Sequence, residues 1–380
     1  MSAEQGAMNQ VSASGLDGVV VANTMLSDVD GERGRLVVRG HSIEELVERA
    51  TFEDVCGLMW NGVLPGAAER ESLRAALGRA RHDAFALLPS LGNAIAASEG
   101  MESLRAAAGH VPDVKDIREG AVRLTGALAV FATAWARARA GQPPVAPEPT
   151  LSHAADYLHM LSGSLPDRSR VAGLDAYLCC VVDHSMNAST FAARVVASTG
   201  SDLVSAVVAA IGALKGPLHG GAPGPVLDML DAIGDAGRAR PWLESELAAG
   251  RRIMGMGHRM YRVRDPRAAA LERAASVYER SDAATVRLTL ARVVEREAER
   301  VLAERSGAPA ARERRVLHGG AARSRRRSAD ALLLDVRCLA GGWLVRPRGR
   351  AAPRGSADPA RIELRWSRAF LGKHHGATQR

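Results

Sequence analysis

Aromatic residues make up only 4% of this 380-residue chain, and no apolar run approaches the length that a bilayer span needs. The second absence argues against a helical membrane protein. The first, beside a hydrophobic content of 47%, describes a core built from Ala, Leu and Val, a composition that suits packed helices. The opening residues MSAEQGAMNQVSASG lack a cationic start followed by an apolar stretch, so no secretory signal is expected. Cysteine is scarce too: Cys56, Cys179, Cys180 and Cys338 show no metal-ligand spacing, and two of them are adjacent. That pattern fits neither a zinc site nor a disulfide framework, and the expectation is a reduced, cytoplasmic protein with no metal. No internal repeat is present. The length is too great for one small core and suggests a large domain with a smaller one.

Charge is unevenly spread. The chain carries a formal +8, yet residues 306–380 hold 17 Arg and Lys against 5 Asp and Glu, a surplus of +12. Residues 1–305 therefore sum to −4, and the high isoelectric point belongs to the tail alone. Such a tail can mark nucleic acid or an anionic surface as a partner. Its few aromatics (Trp343, Trp366, Phe370) are hardly interleaved with the charges, and it matches no recognition motif, so nucleic-acid binding is not expected.

Local patterns are mostly helical. Val19–Ala22 and Arg35–Val38 flank a turn carrying Asp30-Gly31, which predicts a small β-hairpin near the N-terminus. Ser42 with Glu45, and Thr51 with Asp54, have capping-box spacing ahead of apolar-periodic segments. Residues 66–80 and 151–162 repeat apolar positions every three or four residues, and residues 141–149 (GQPPVAPEP) form a loop between helices. A helix starting after Ser201 has Leu203, Val204, Val207, Val208, Ile211 and Leu214 on one face. It must stop near Gly216-Pro217, because proline cannot continue it. The fold class is mainly α.

Three segments stand apart: DHSMNASTF (183–191), GPLHGGAPGP (216–225) and GMGHRMYRVRDPR (255–267). Each places a histidine at or near a break in regular structure, and in the last two glycines let a ligand approach the backbone closely. The third adds Arg259, Arg262, Arg264 and Arg267, whose guanidinium forks suit a polyanionic small substrate. Each feature also has a plainer reading. His184 taken singly reads as a core or helix-end histidine, a Gly-Gly turn alone explains the surroundings of His219, and the arginines suit a solvated face paired with Asp265. Spacing by itself reaches an anion-binding enzyme and no further.

In order and separation, however, GPLHGG, GHRMY and DPR together resemble the signature of the citrate synthases. The stretch VVVANTMLSDVDGERGRLVVRGHSIEEL is similar to that family's opening, with His41 where the family usually has Tyr. The resemblance covers roughly residues 16–305. It implies a two-domain helical fold with a small N-terminal β-hairpin, the large domain at 1–219 and the small domain at 220–312, forming a homodimer. It further implies condensation of acetyl-CoA with oxaloacetate and hydrolysis of citryl-CoA, or the same chemistry on propionyl-CoA in a 2-methylcitrate synthase. His219 would stabilise the enol of acetyl-CoA and His258 would polarise the oxaloacetate carbonyl. His184 and Arg267 would hold oxaloacetate, and Arg262 would contact CoA phosphate. No metal or bound organic cofactor is required.

The family's catalytic base is an acidic residue in an Asn-Val-Asp/Glu-Phe-Tyr stretch of the last third, and this chain has none. Codons open to Glu313–Leu317 (ERRVL), followed by His318-Gly319, read one base later as Asn-Val-Glu-Phe-Tyr-Thr. Asp335–Leu344 (DVRCLAGGWL) likewise encodes TFAVSRVAGW one base later, a string similar to the family's C-terminal helix with its oxaloacetate-binding arginine. Residues from about 306–312 onward thus read as out of frame, and the Arg-rich tail 313–380 is expected to be poorly ordered, since it cannot bury enough apolar area to offset ordering entropy. The resulting chain keeps both catalytic histidines but lacks the base, and an impaired remnant that only binds ligand is the alternative outcome.

Overall fold

Short polar side chains start most of the helices here, and the computed structural model shows where. It describes residues 21–183, 185–216, 219, 223–251, 253, 265–268, 270, 271 and 282–306. Three short antiparallel strands come first: β1 (Ser27–Asp30), β2 (Arg35–Val38) and β3 (His41–Ser42) in the order β1-β2-β3. The expected hairpin partner Val19–Ala22 is therefore corrected to Ser27–Asp30. Asp30 Oδ1 accepts the backbone N–H groups of Glu32 and Arg33, so the chain turns immediately after Asp30 and pairs Asp30 with Arg35. In that register an extension back to Val21 would run past Val38, the end of β2. Residues 19 and 20 lie outside the described residues.

Helices follow: α1 (Ile43–Arg49), α2 (Phe52–Asn61), α3 (Ala67–Phe85), α4 (Gly100–Ala108), α5 (Ile117–Arg139), α6 (His153–Ser162), α7 (Arg168–Cys180), α8 (Ala188–Ser198) and α9 (Leu203–Leu214). Ser42 accepts from the Glu45 N–H to start α1, and Thr51 with Asp54 makes a complete capping box on α2. The apolar face read for 203–214 is α9, capped by Asp202. One core joins β2, α1 to α7 and α9, from Leu36 through Phe131, Tyr157 and Leu178 to Leu214. The helix α3 crosses α5 closely because Gly126 removes a side chain between them, where a Cβ would lie 2.7 Å from the Ala80 Cβ. Gly78 of α3 instead admits the loop before α6, since a Cβ there would lie 2.1 Å from the Pro149 carbonyl oxygen. A second core gathers Val226, Met229, Leu230 and Ile233 of α10 (Pro223–Ile233), Leu243 of α11 (Ala239–Ala248) and Leu290, Val294 and Ala298 of α12 (Asp282–Ser306). Among the described residues the architecture is mainly α with one small sheet. The tail 313–380 lies outside the described residues.

Buried acids tie the first core together. Asp175 of α7 accepts the Phe52 N–H at 3.0 Å, and so caps α2 from a neighbouring helix. Burial, and then the nearby Glu53 carboxylate, push the Asp175 carboxyl up to about 7 from 3.8. Its proton is thus bound more tightly in the folded chain than in the unfolded one. The stability it contributes is fully present below about pH 3.8 and is lost as pH rises through about 7. Asp175→Asn keeps an oxygen for the Phe52 N–H and removes the titration. Its expected effect is greater stability than the parent at pH 8, on the order of a few kcal/mol, seen as a higher unfolding temperature and shrinking towards pH 5. Thermal unfolding across that pH range checks it, and parallel profiles for the two proteins would refute it.

Candidate active site

The segment from Cys180 to Ser189 links α7 to α8, and the two described candidate residues attach at its two ends. At the far end, Asn187 is the N-cap of α8: its Oδ1 accepts from the Thr190 N–H at 3.0 Å and from the Ser189 hydroxyl at 2.6 Å. The helix α9 runs back along α8 and ends at Leu214, where Lys215 pairs with Glu102 of α4. The chain then turns, with the His219 N–H donating to the Gly216 carbonyl at 3.0 Å. This turn sets His219 Nε2 at 3.0 Å from the Ser189 hydroxyl and 3.3 Å from the Ser189 N–H. A backbone N–H can only donate, so Nε2 accepts and the ring proton lies on Nδ1. The half-buried imidazole is thereby a donor through Nδ1.

At the near end, the Cys180 thiol donates to the Arg267 carbonyl at 3.6 Å. Burial pushes that thiol far above its ordinary range, which makes it a packing group and not a nucleophile. Arg267 is 4% exposed, and Asp265, 3% exposed, holds it: Oδ1 accepts from the Arg267 N–H (2.9 Å) and Nε (3.0 Å), and Oδ2 from the terminal NH2 (2.6 Å). Asp265 thus starts the helical residues 266–268 and pairs with the arginine in them, with Pro266 supplying the preset φ of a first helical turn. Leu271, just beyond, packs on the first core.

His184, His258 and Arg262 lie outside the described residues. The backbone on either side of position 184 is described: Asp183, 1% exposed, accepts the Ser185 N–H at 2.7 Å, and Ser185 adopts the left-handed region at φ 56°. Backbone strain of that kind gathers at functional sites. The sequence singled out His219 and Arg267 and offered Asp265 as a partner of the arginines only on a solvated face, whereas the pair is buried; it gave no role to Asn187, Ser189 or Cys180. The signals for Asn187 and Asp265 were present, an Asn three residues before Thr190 and an Asp before Pro266, both spacings of helix starts. Among the described residues no group of three or more His, Cys, Asp and Glu could hold a metal ion, and no helix is long and apolar enough to cross a membrane.

The sequence model of the "Citrate synthase, C-terminal domain" matches residues 15–313. The 2-methylcitrate synthase of Mycobacterium tuberculosis (strain ATCC 25618 / H37Rv) is 39% identical over 273 residues, covering 68% of this chain and 68% of that protein. The citrate synthase of Synechocystis sp. is also 39% identical over 273 residues, covering 70% and 69%. Among solved structures, the citrate synthase of Thermotoga maritima aligns with a TM-score of 0.69 at 29% identity, over 93% of this chain and 99% of that one. A helical fold that places His219 and Arg267 at the two ends of one short segment thus coincides with a match over most of the chain's length. The chain belongs to the citrate synthase family.

Proposed function

We propose that this chain binds oxaloacetate and acetyl-CoA and is built to condense them into citryl-CoA, which hydrolyses to citrate and CoA. The observation that carries this reading is the imidazole of His219, whose Nε2 accepts from the Ser189 N–H, which puts the proton of a neutral ring on Nδ1 as a donor. A thioester α-proton is only weakly acidic, and a carboxylate removes it when the developing oxyanion is stabilised as it forms. His219 is assigned to that oxyanion and His258 to polarising the ketone of oxaloacetate. His184 and Arg267 are assigned to its carboxylates, and Arg262 to a CoA phosphate. The reaction so written asks for no metal or resident cofactor. The same reading makes the protein a cytoplasmic homodimer, with a large domain at 1–219 and a small domain at 220–312. It also takes residues from about 306–312 onward as out of frame, so that the base is missing from the literal chain.

Calorimetric titration of the full chain tests the ligand assignments. Oxaloacetate is expected to bind, and to bind weakly or not at all after His258→Ala or Arg267→Leu. Unchanged binding by both variants would overturn the assignment. The 39% identity to a 2-methylcitrate synthase favours a second reading with propionyl-CoA as the acyl donor. One methylene in an apolar pocket is worth only ~1–3 kcal/mol, so the two donors must be compared directly, by kcat/KM in a frame-restored chain. In that same protein Ser189→Ala is expected to lower kcat by about tenfold or less, because the hydroxyl is lost while the backbone N–H still fixes the tautomer. A fall in oxaloacetate affinity with kcat unchanged would contradict the role given to Ser189.

A further inference from the structure

The arginine assigned to oxaloacetate is already gripped by a carboxylate of its own chain. Asp265 and Arg267 are both more than nine-tenths buried, and four hydrogen bonds join them, one from the backbone N–H and three from Nε and NH2. A buried guanidinium without a counter-charge is costly, and a flexible one would approach a ligand carboxylate in many orientations. Two constraints remove that freedom. Asp265 fixes the Nε edge of the fork, and the Cys180 thiol holds the Arg267 carbonyl against the end of α7. We infer that Asp265 is a positioning residue for oxaloacetate: it sets the direction in which the Arg267 fork meets a substrate carboxylate, without itself touching the substrate. This rests on the reading of Arg267 as an oxaloacetate ligand.

Asp265→Asn is the informative change. Asn still accepts the Arg267 N–H and still starts a helix, so the local backbone is kept. Its amide NH2, however, faces another donor where Oδ2 accepted, and the fork is released. In calorimetric titrations of the full chain, oxaloacetate affinity is expected to fall ~10-fold or more, the scale of a lost hydrogen bond between charged groups. CoA affinity measured on the same variant is expected to stay unchanged, which a merely structural lesion would not allow. Asp265→Glu, which keeps the charge but moves it by one methylene, is expected to fall between the parent and Asn, and it serves if the Asn variant does not fold. Equal or tighter oxaloacetate binding by either variant would overturn the inference, since tighter binding would make Asp265 a competitor of the substrate. Parent protein that binds no oxaloacetate, or binds it equally well after Arg267→Leu, would instead remove the underlying reading of Arg267.

Discussion

Removing one base near codons 306–312 is expected to raise CoA release from acetyl-CoA plus oxaloacetate by more than ~10²–10⁴-fold over the 380-residue chain, the range associated with a positioned general base. The gain should exceed that range. The shifted frame restores an Asn-Val-Glu-Phe-Tyr stretch, and further on a Ser-Arg string similar to the family's oxaloacetate-binding helix. Two further observations point to the same place. The family match ends at residue 313, and the charge changes there from −4 over residues 1–305 to +12 over 306–380. None of the acids in the tail (Glu313, Asp330, Asp335, Asp358, Glu363) sits in a comparable setting. Both versions need only be expressed and assayed side by side for CoA. Equal rates would show that the tail supplies its own base and that the frame reading is wrong.

Asp156→Ala is expected to destabilise the protein by ~3–5 kcal/mol, the usual cost of leaving one member of a buried pair uncompensated. The side chains of Arg81 and Asp156 are both 0% exposed and meet at 2.5 Å. Arg81 also donates to the Leu151 carbonyl at 3.0 Å and faces His153 Nδ1 at 3.2 Å, while Asp156 accepts the Glu148 N–H at 2.8 Å. The pair therefore ties α3 to the start of α6 and to the loop before it. The double change Arg81→Met with Asp156→Leu removes both charges together and is expected to recover much of the loss. Urea unfolding of the three proteins decides: a loss below ~1 kcal/mol for Asp156→Ala would show that water reaches Arg81.

Much of this was legible in the sequence because it is local. Thr51 and Asp54 announced α2, the 203–214 stripe announced α9, and the proline at 217 announced its end. Where one element had to find another, the sequence was silent. The first strand was placed several residues too early because Val19–Ala22 is apolar, whereas the turn bonds of Asp30 draw Ser27–Asp30 into the pairing. Nothing in the string links Arg81 to Asp156, or Asp175 to Phe52, 123 positions away. At the candidate active site the chemistry-bearing side chains stood out through their glycines and arginines, and resemblance supplied the roles proposed for them. Their supports did not stand out: Ser189 and Cys180 are ordinary helix residues until the fold brings His219 and Arg267 to them.

Ser189 and His219 are 30 positions apart, and almost all the chain between them is two antiparallel helices. That arrangement works like a folded ruler, with its open ends holding the hydroxyl and the imidazole and its hinge at the turn 199–202. An insertion of one residue anywhere in α9 would rotate everything after it by about 100° and carry the imidazole off the hydroxyl. Substitutions along the outer faces of the same two helices leave the reading of the ruler unchanged. The spacing between hinge and histidine is therefore far less free to vary than the residues that fill it.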